Sequence, residues 1–173
     1  MKRNIWLFIF IGVLSAAIGA YFSTRRLAPE AARGSAVEGL LAQTLPDAHG
    51  QPTNLSVWRG RPMVINFWAT WCAPCVEEMP ELSALQAEIS PRGIQILGIG
   101  IDSAANIAVF ASKYQITYPL FAAGASATAL ARAFGNQAGG LPFTVLIGRD
   151  GVVKKTYLGR LKMDVLRSDL SLL

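Results

Sequence analysis

Two cysteines, Cys72 and Cys75, are the only thiols in this chain of 173 residues, so any thiol chemistry takes place at this pair. Two residues, Ala73 and Pro74, separate them. A metal site would need further ligands, and the single histidine, His49, lies far away in a segment dense in turn-forming residues. A structural disulfide that closes so small a loop restrains the unfolded chain little. Reversible redox exchange is the interpretation that makes use of the short spacing.

The pair lies at a predicted junction between a strand and a helix. Residues 63–67 form an apolar run typical of a buried strand, and residues 76–89 place apolar side chains at helical steps. If Cys72 opens the helix, the unpaired amides and the positive end of the helix dipole favour its thiolate. Residues three apart share a helix face, which brings Cys75 close enough for a disulfide, and Pro74 suits a first helical turn.

Further elements alternate along the chain after this junction. The pattern predicts strands at 94–101, 118–121, 143–147 and 152–158 and helices at 106–114, 126–134 and 162–173. Strands that first alternate with helices and then end in a hairpin predict an α/β fold, with a mixed central sheet and helices on both faces. Upstream, residues 40–45 and 53–55 predict a short N-terminal hairpin in which His49 is a solvated turn residue.

The N-terminal segment 5–22 holds no charged residue and is flanked by basic residues. Its length of about 18 residues is at the lower edge of what spans a bilayer. We expect an uncleaved signal anchor over 1–22, a tether over 23–39 and a folded domain over 40–173. The domain would then face the periplasm from the inner membrane. The alternative is a signal peptide cleaved near the small residues at 16–20, which would release a secreted domain.

The net charge of +5 does not indicate a nucleic-acid-binding protein. Residues 1–39 carry five Lys or Arg against two Glu, whereas residues 40–173 carry eleven Lys or Arg against nine Asp or Glu. The domain is therefore only mildly basic, with no clustered basic stripe, and we exclude nucleic acid as a partner.

Several separate motifs resemble the thioredoxin superfamily. Residues 64–75 read Val-Ile-Asn-Phe-Trp-Ala-Thr-Trp-Cys-Ala-Pro-Cys, Pro80 follows, and 141–144 read Leu-Pro-Phe-Thr. The sequence is similar more closely to the membrane-anchored TlpA/ResA-like branch of periplasmic thiol:disulfide oxidoreductases, over about residues 40–173. This resemblance implies a thioredoxin-like fold with an extra strand and helix over 99–121. It implies no cofactor.

The resemblance also implies roles for individual residues. Cys72 is the attacking nucleophile and Cys75 the resolving thiol. Pro142 matches the family's cis-proline, which lies beside the disulfide and, with Leu141, presents backbone to a client strand. We assign Trp71, Ala73 and Pro74 to the client-binding surface because they adjoin the nucleophile, and Trp68 to packing.

Position 66 departs from thioredoxin itself. That protein has a buried aspartate there, whereas this chain has Asn66, and an amide cannot act as a base. In the anchored branch the compensating acid lies three residues after the second cysteine, at Glu78 here, on the helix face of Cys75. We therefore expect Glu78 to handle protons, and we expect Glu77 and Glu81 only to complement the helix dipole.

The direction of electron flow is predicted to be reductive. Ala73 and Pro74 add no charge between the cysteines, so the thiol pKa should lie nearer thioredoxin's value of about 7 than the oxidising extreme of about 3.5. We expect a midpoint below about −200 mV. The predicted partners are extracytoplasmic disulfide clients such as apocytochrome c, a membrane thiol donor and the bilayer. The alternatives are an oxidase or isomerase of the same fold, and a non-catalytic client-binding or metal-delivery module.

Overall fold

The computed structural model describes Leu14 and residues 34–173. The chain divides into two compact units, Met1–Ala32 and Arg33–Leu173. Apart from Leu14, the predicted anchor lies outside the described residues. Among the residues that are described, no helix is long and apolar enough to cross a bilayer.

A five-stranded mixed sheet forms the centre of the second unit, and a two-stranded hairpin precedes it. The central sheet has the order β5-β4-β3-β6-β7. Strands β3, β4 and β5 are parallel to one another, and β6 is antiparallel to both of its neighbours, β3 and β7. The predicted mixed sheet is therefore confirmed. The strands are β1 (Thr44–Pro46), β2 (Pro52–Asn54), β3 (Met63–Trp68), β4 (Gln95–Gly100), β5 (Leu120–Ala122), β6 (Phe143–Ile147) and β7 (Val153–Leu158).

Helices cover both faces of this sheet, and each face has its own apolar core. Residues of α2, α3 and α5 pack on one face, and residues of α1 and α4 pack on the other. The helices are α1 (34–41 in the described chain), α2 (Ala73–Ile89), α3 (Ala104–Tyr114), α4 (Ser126–Ala133) and α5 (Met163–Asp169), which a 3-10 turn over Leu170–Leu172 follows. The predicted insert is present, since α3 leads into the edge strand β5.

The start of the folded domain differs from the prediction. Residues 34–41 are helical, although 34–39 were expected to belong to a tether and 40–45 to a strand. Ala36, Val37, Leu40 and Leu41 are buried in the core on the α1 and α4 face. These positions repeat at helical steps, so the segment has an apolar face that is buried. The small residues of the segment make this face hard to recognise in the sequence. Only Thr44–Pro46 pairs with Pro52–Asn54 in the predicted hairpin.

Strand β3 is central in the sheet, between β4 and β6, and all six of its residues are buried. Because helices cover both of its sides, it reads as a continuous apolar run rather than an alternating one. Asn66 is its single polar residue, and it is fully buried. The cysteine pair therefore follows the C-terminal end of a central strand that is buried along its whole length.

Candidate active site

The two cysteines form a disulfide at the N-terminus of α2. Their Cα atoms are 5.3 Å apart. Cys72 is the residue that caps the helix, and Val76 donates its amide proton to the Cys72 carbonyl at 3.0 Å. The helix therefore begins at Ala73, three residues earlier than the periodicity predicted, with Pro74 in its first turn. Cys72 lies where the helix dipole favours a thiolate, as expected.

The side chains around Cys72 differ sharply in exposure. Trp71 is 69% exposed, and Ala73 and Pro74 are also exposed, so all three are accessible to a client. Cys72 itself is 6% exposed and Cys75 is fully buried. Trp68 is fully buried, and its ring lies 4.7 Å from that of Phe110. The packing expected for Trp68 is therefore present.

The peptide bond between Leu141 and Pro142 is cis. The register of β3 and β6 pairs Phe67 with Phe143, so Pro142 lies at the end of β3 that leads to Cys72. Pro142 is buried, and its carbonyl accepts a hydrogen bond from the amide of Gly159 at 2.8 Å. In the part of the chain that the structure describes, the backbone of Leu141 forms no hydrogen bond. Leu141 thus has the free backbone groups that an added strand would need.

Glu78 is fully buried one turn along α2 from Cys75. Its Oε1 atom accepts a hydrogen bond from Asn66 Nδ2 at 2.9 Å, and its Oε2 atom accepts one from the Leu161 amide at 2.8 Å. Burial raises the pKa of Glu78 to about 7, because desolvation outweighs these two hydrogen bonds and the more distant positive charge of Arg160. A carboxyl group with such a pKa can both accept and release a proton near neutral pH.

Asn66 connects Glu78 to the strand that carries the cis-proline. Asn66 pairs with Thr144 in the β3 and β6 register, and its Nδ2 atom also donates to Thr144 Oγ1 at 3.0 Å. Its Oδ1 atom is buried without a partner among the described residues. An amide cannot act as a base, so Asn66 does not replace the aspartate of thioredoxin in that role, but it holds the Glu78 carboxyl group by a hydrogen bond.

Tyr118 is a further buried polar residue near Glu78. Its hydroxyl group has no partner within the described chain, and burial and the charge of Glu78 both raise its pKa. Sequence reasoning missed Tyr118 and Leu161 as neighbours of the acid and Thr144 as the partner of Asn66. A polar residue inside the apolar run 143–147 was the one available signal, and it pointed only to Thr144.

Glu77 and Glu81 are exposed and share one partner. Arg160 donates from Nη1 to Glu77 at 2.6 Å and from Nη2 to Glu81 at 3.1 Å. These acids therefore form ion pairs with a loop after β7, a partner that the helix dipole interpretation did not anticipate.

His49 lies in the turn between β1 and β2, exposed, with its amide bonded to Asp47 Oδ1 at 2.8 Å. Within residues 34–173, no group of three or more His, Cys, Asp or Glu side chains is arranged to hold a metal ion. The geometry thus offers a thiol pair and a neighbouring acid as the reactive groups.

The Redoxin family model matches residues 26–170. The chain belongs to the Redoxin family. Thiol-disulfide oxidoreductase ResA of Geobacillus thermodenitrificans is 30% identical over 171 residues, covering 98% of this chain and 93% of the relative. ResA of Bacillus subtilis is 29% identical over 177 residues, covering 100% of this chain and 96% of the relative.

Two solved structures share the fold of this Redoxin family member. A secreted disulfide oxidoreductase of Mycobacterium tuberculosis, homologous to DsbE of E. coli, superimposes with a TM-score of 0.66 at 22% identity over 78% of this chain and 98% of its own. A secreted thiol-disulfide isomerase from Corynebacterium glutamicum gives 0.65 at 26% identity, over 74% and 81%. The thioredoxin-like fold and the resemblance to the TlpA/ResA-like branch are confirmed. The chain is a thiol-disulfide oxidoreductase of the ResA type.

Proposed function

We propose that this oxidoreductase works as a reductase of disulfides in extracytoplasmic proteins, with Cys72, Cys75 and Glu78 as its catalytic residues. The observation that carries the proposal is the buried Glu78 carboxyl group, one helical turn from Cys75 and with a pKa near 7. The residues between the cysteines, Ala73 and Pro74, carry no charge that would stabilise a thiolate further. A moderately acidic thiol pair favours reduction of clients over their oxidation.

The reaction has two exchange steps. The Cys72 thiolate attacks one client sulfur, which forms a mixed disulfide and releases the other client sulfur as a thiolate that takes a proton from solvent. Glu78 then accepts the proton of the Cys75 thiol, and the Cys75 sulfur attacks Cys72 Sγ. This second step releases the remaining client thiolate, so two electrons have passed to the client and the Cys72–Cys75 disulfide has formed.

The client docks beside the disulfide as an added strand. Because Gly159 already occupies the Pro142 carbonyl, the backbone of Leu141 would pair with that strand. Trp71, Ala73 and Pro74 are exposed next to Cys72 and would contact side chains of the client. Apocytochrome c, whose haem-binding cysteines must be reduced before ligation, is a suitable client.

Residues 1–22 would anchor the protein in the inner membrane with the catalytic domain in the periplasm. The segment 5–22 is uncharged and flanked by basic residues, and a membrane thiol donor would return two electrons to the disulfide. A tether keeps the domain near that donor, which raises its effective concentration. Carbonate extraction of cell membranes should retain the full-length protein. Soluble protein of lower mass would indicate a cleaved signal peptide instead.

The direction of catalysis is tested by the midpoint potential. Equilibration with a dithiol couple should give a value below about −200 mV, whereas a value near −120 mV would assign the protein to the oxidases. Cys72→Ser should abolish insulin reduction, and Cys75→Ser should accumulate mixed disulfides that identify the clients. Wild-type activity in either variant would contradict the proposed roles. Stoichiometric copper binding without reductase activity would favour metal delivery.

A further inference from the structure

Three consecutive residues after β7, Gly159, Arg160 and Leu161, contact both the cis-proline and the buried acid. We call them the strap. The Gly159 amide donates to the Pro142 carbonyl at 2.8 Å. The Leu161 amide donates to Glu78 Oε2, also at 2.8 Å. One short stretch of backbone therefore spans the client-docking loop and the proton acceptor.

The side chain between these two amides holds the strap to α2. Arg160 bridges Glu77 and Glu81, which lie one turn apart on the helix surface and flank Glu78 in sequence. Arg160 is 50% exposed, and an isolated pair of this exposure would contribute little. Here, however, one guanidinium joins two acids, and the backbone on each side of it is already bonded.

We propose that Arg160 is a positioning residue, which keeps the Leu161 amide on Glu78 and the Gly159 amide on Pro142 by clamping the strap to Glu77 and Glu81. The proposal rests on the proton-handling role proposed for Glu78. It adds that the acid and the docking loop are held by the same three residues. Loosening the clamp would therefore affect both of them together.

The electrostatic consequence has a definite sign. The Leu161 hydrogen bond and the positive charge of Arg160 lower the pKa of Glu78, against the larger raising effect of burial. Losing Arg160 weakens both lowering effects, so the pKa of Glu78 should rise. The groups around Glu78 are Arg160 and Leu161 of the strap, Glu77, Glu81 and Cys75 of α2, Asn66 and Thr144 of the sheet, and Tyr118 before β5.

The first test needs no catalytic turnover. Arg160→Gln and Arg160→Lys are prepared in the full chain, and the carboxyl carbon of Glu78 is titrated by NMR in the oxidised protein. Arg160→Gln should move the titration midpoint to higher pH and speed hydrogen exchange at the Gly159 and Leu161 amides. Arg160→Lys should give a titration midpoint and exchange rates between those of Arg160→Gln and the wild type, because lysine keeps the positive charge but cannot bond two acids with a planar guanidinium group.

Arg167 supplies a matched control. Like Arg160, Arg167 forms two hydrogen bonds to acids of α2, but it does so from α5, to Glu88 at 3.0 Å and 2.8 Å, and it is 46% exposed. It has no contact with Glu78 or with the strap amides. Arg167→Gln should therefore leave the Glu78 titration and the two amide exchange rates unchanged. Equal changes in both variants, or none in Arg160→Gln, would overturn the proposal.

The second test follows the rate at which the mixed disulfide is resolved as a function of pH. At pH 7, Arg160→Gln should slow this step about threefold, the size that one exposed charge contact supports, with the profile shifted to higher pH. Glu78→Gln should remove this part of the pH dependence altogether. If Glu78→Gln keeps the wild-type profile, the proposed role of Glu78 fails. If Glu78→Gln changes the profile, but Arg160→Gln has the Glu78 titration and the amide exchange rates of the wild type, the strap proposal fails and the role of Glu78 stands.

Discussion

Helix α2 buries two polar side chains, Glu78 near its N-terminus and Gln86 eight residues later, and they differ in charge and in how completely they are hydrogen-bonded. The Gln86 amide has partners on both of its ends. Its Oε1 atom accepts from the Ile96 amide at 2.6 Å and from Gln95 at 3.0 Å, and its Nε2 atom donates to Ser90 at 2.8 Å and to the Ile94 carbonyl at 3.1 Å. A neutral group with all its capacity used fastens α2 to the start of β4.

Glu78 is ionisable, and its surroundings are incompletely paired. Each of its oxygens accepts one hydrogen bond, and Asn66 Oδ1 beside it has no partner within the described residues. Burial raises the pKa of Glu78 to about 7, so its charge can change near neutral pH. The difference teaches that a complete network around a neutral group holds two elements together, whereas a buried ionisable group with an incomplete network can change its charge near neutral pH.

The largest expected effect belongs to the structural site. Gln86→Leu leaves the Ile96 amide and the Ile94 carbonyl buried without this partner, so we expect the free energy of unfolding to fall by about 4 kcal/mol. Urea unfolding at pH 7 measures it. The rate of client reduction by the folded protein should not change.

Gln95→Met is the control for this prediction, since it removes one side-chain bond to Gln86 and should cost only about 1 kcal/mol. If Gln86→Leu slowed client reduction without lowering the free energy of unfolding, the structural role assigned to Gln86 would be wrong.

The second effect is a pH dependence of stability that comes from Glu78. Its folded pKa of about 7 lies above the ordinary value of 4.5, so the folded state binds the proton more tightly than the unfolded state. The stabilisation is complete below about pH 4.5 and is lost as the pH rises through 7, by about 3 kcal/mol. Unfolding experiments between pH 5 and 8 should show this fall in the oxidised wild type.

Glu78→Gln should flatten that curve, because the amide does not titrate and can accept the Leu161 hydrogen bond. Asn66 can turn to present its free Oδ1 atom to the new amide. An unchanged pH dependence in this variant would show that another group causes the fall.

The third effect is catalytic. Glu78→Gln removes the proposed proton acceptor of the resolving step, so the rate of that step at pH 7 should fall about a hundredfold. Rapid quenching of the mixed disulfide measures it. The initial attack by Cys72 should keep its rate, because the helix N-terminus rather than Glu78 stabilises that thiolate. Equal losses in both steps would mean that Glu78 acts through the structure of the whole site.

The smallest effect concerns the surface beside the disulfide. Trp71→Ala should raise the KM for a protein client about fivefold, because a 69% exposed indole contributes to docking and little to folding. The free energy of unfolding should change by less than about 0.5 kcal/mol. Val57→Ala is the matched control, since Val57 is 60% exposed but precedes β3, whereas the disulfide follows it. A collapse of the fold in Trp71→Ala would instead assign this side chain to packing.

Much of the fold could be predicted because its signals are local. The apolar run of β3, the helical steps after Cys75 and the hairpin of β6 and β7 each depend on neighbouring residues. The segment 34–41 escaped prediction because it is short, and its apolar side becomes visible only against the core that it covers. Element ends depend on capping and packing, which explains why α2 begins before its apolar pattern does.

The sequence by itself determined the chemistry: one pair of thiols, separated by two residues, at the start of a helix, with an acid three residues after the second thiol. Those facts follow from residue types and spacing, which a helix converts directly into proximity. Only the tertiary structure decided what surrounds that acid. Asn66 and Leu161 bond to Glu78 from distant parts of the chain, Thr144 bonds to Asn66, and Tyr118 lies within range of the Glu78 charge. Burial of the carboxyl group raises its pKa and the hydrogen bonds from Leu161 and Asn66 oppose that rise, and both effects arise only in the assembled core.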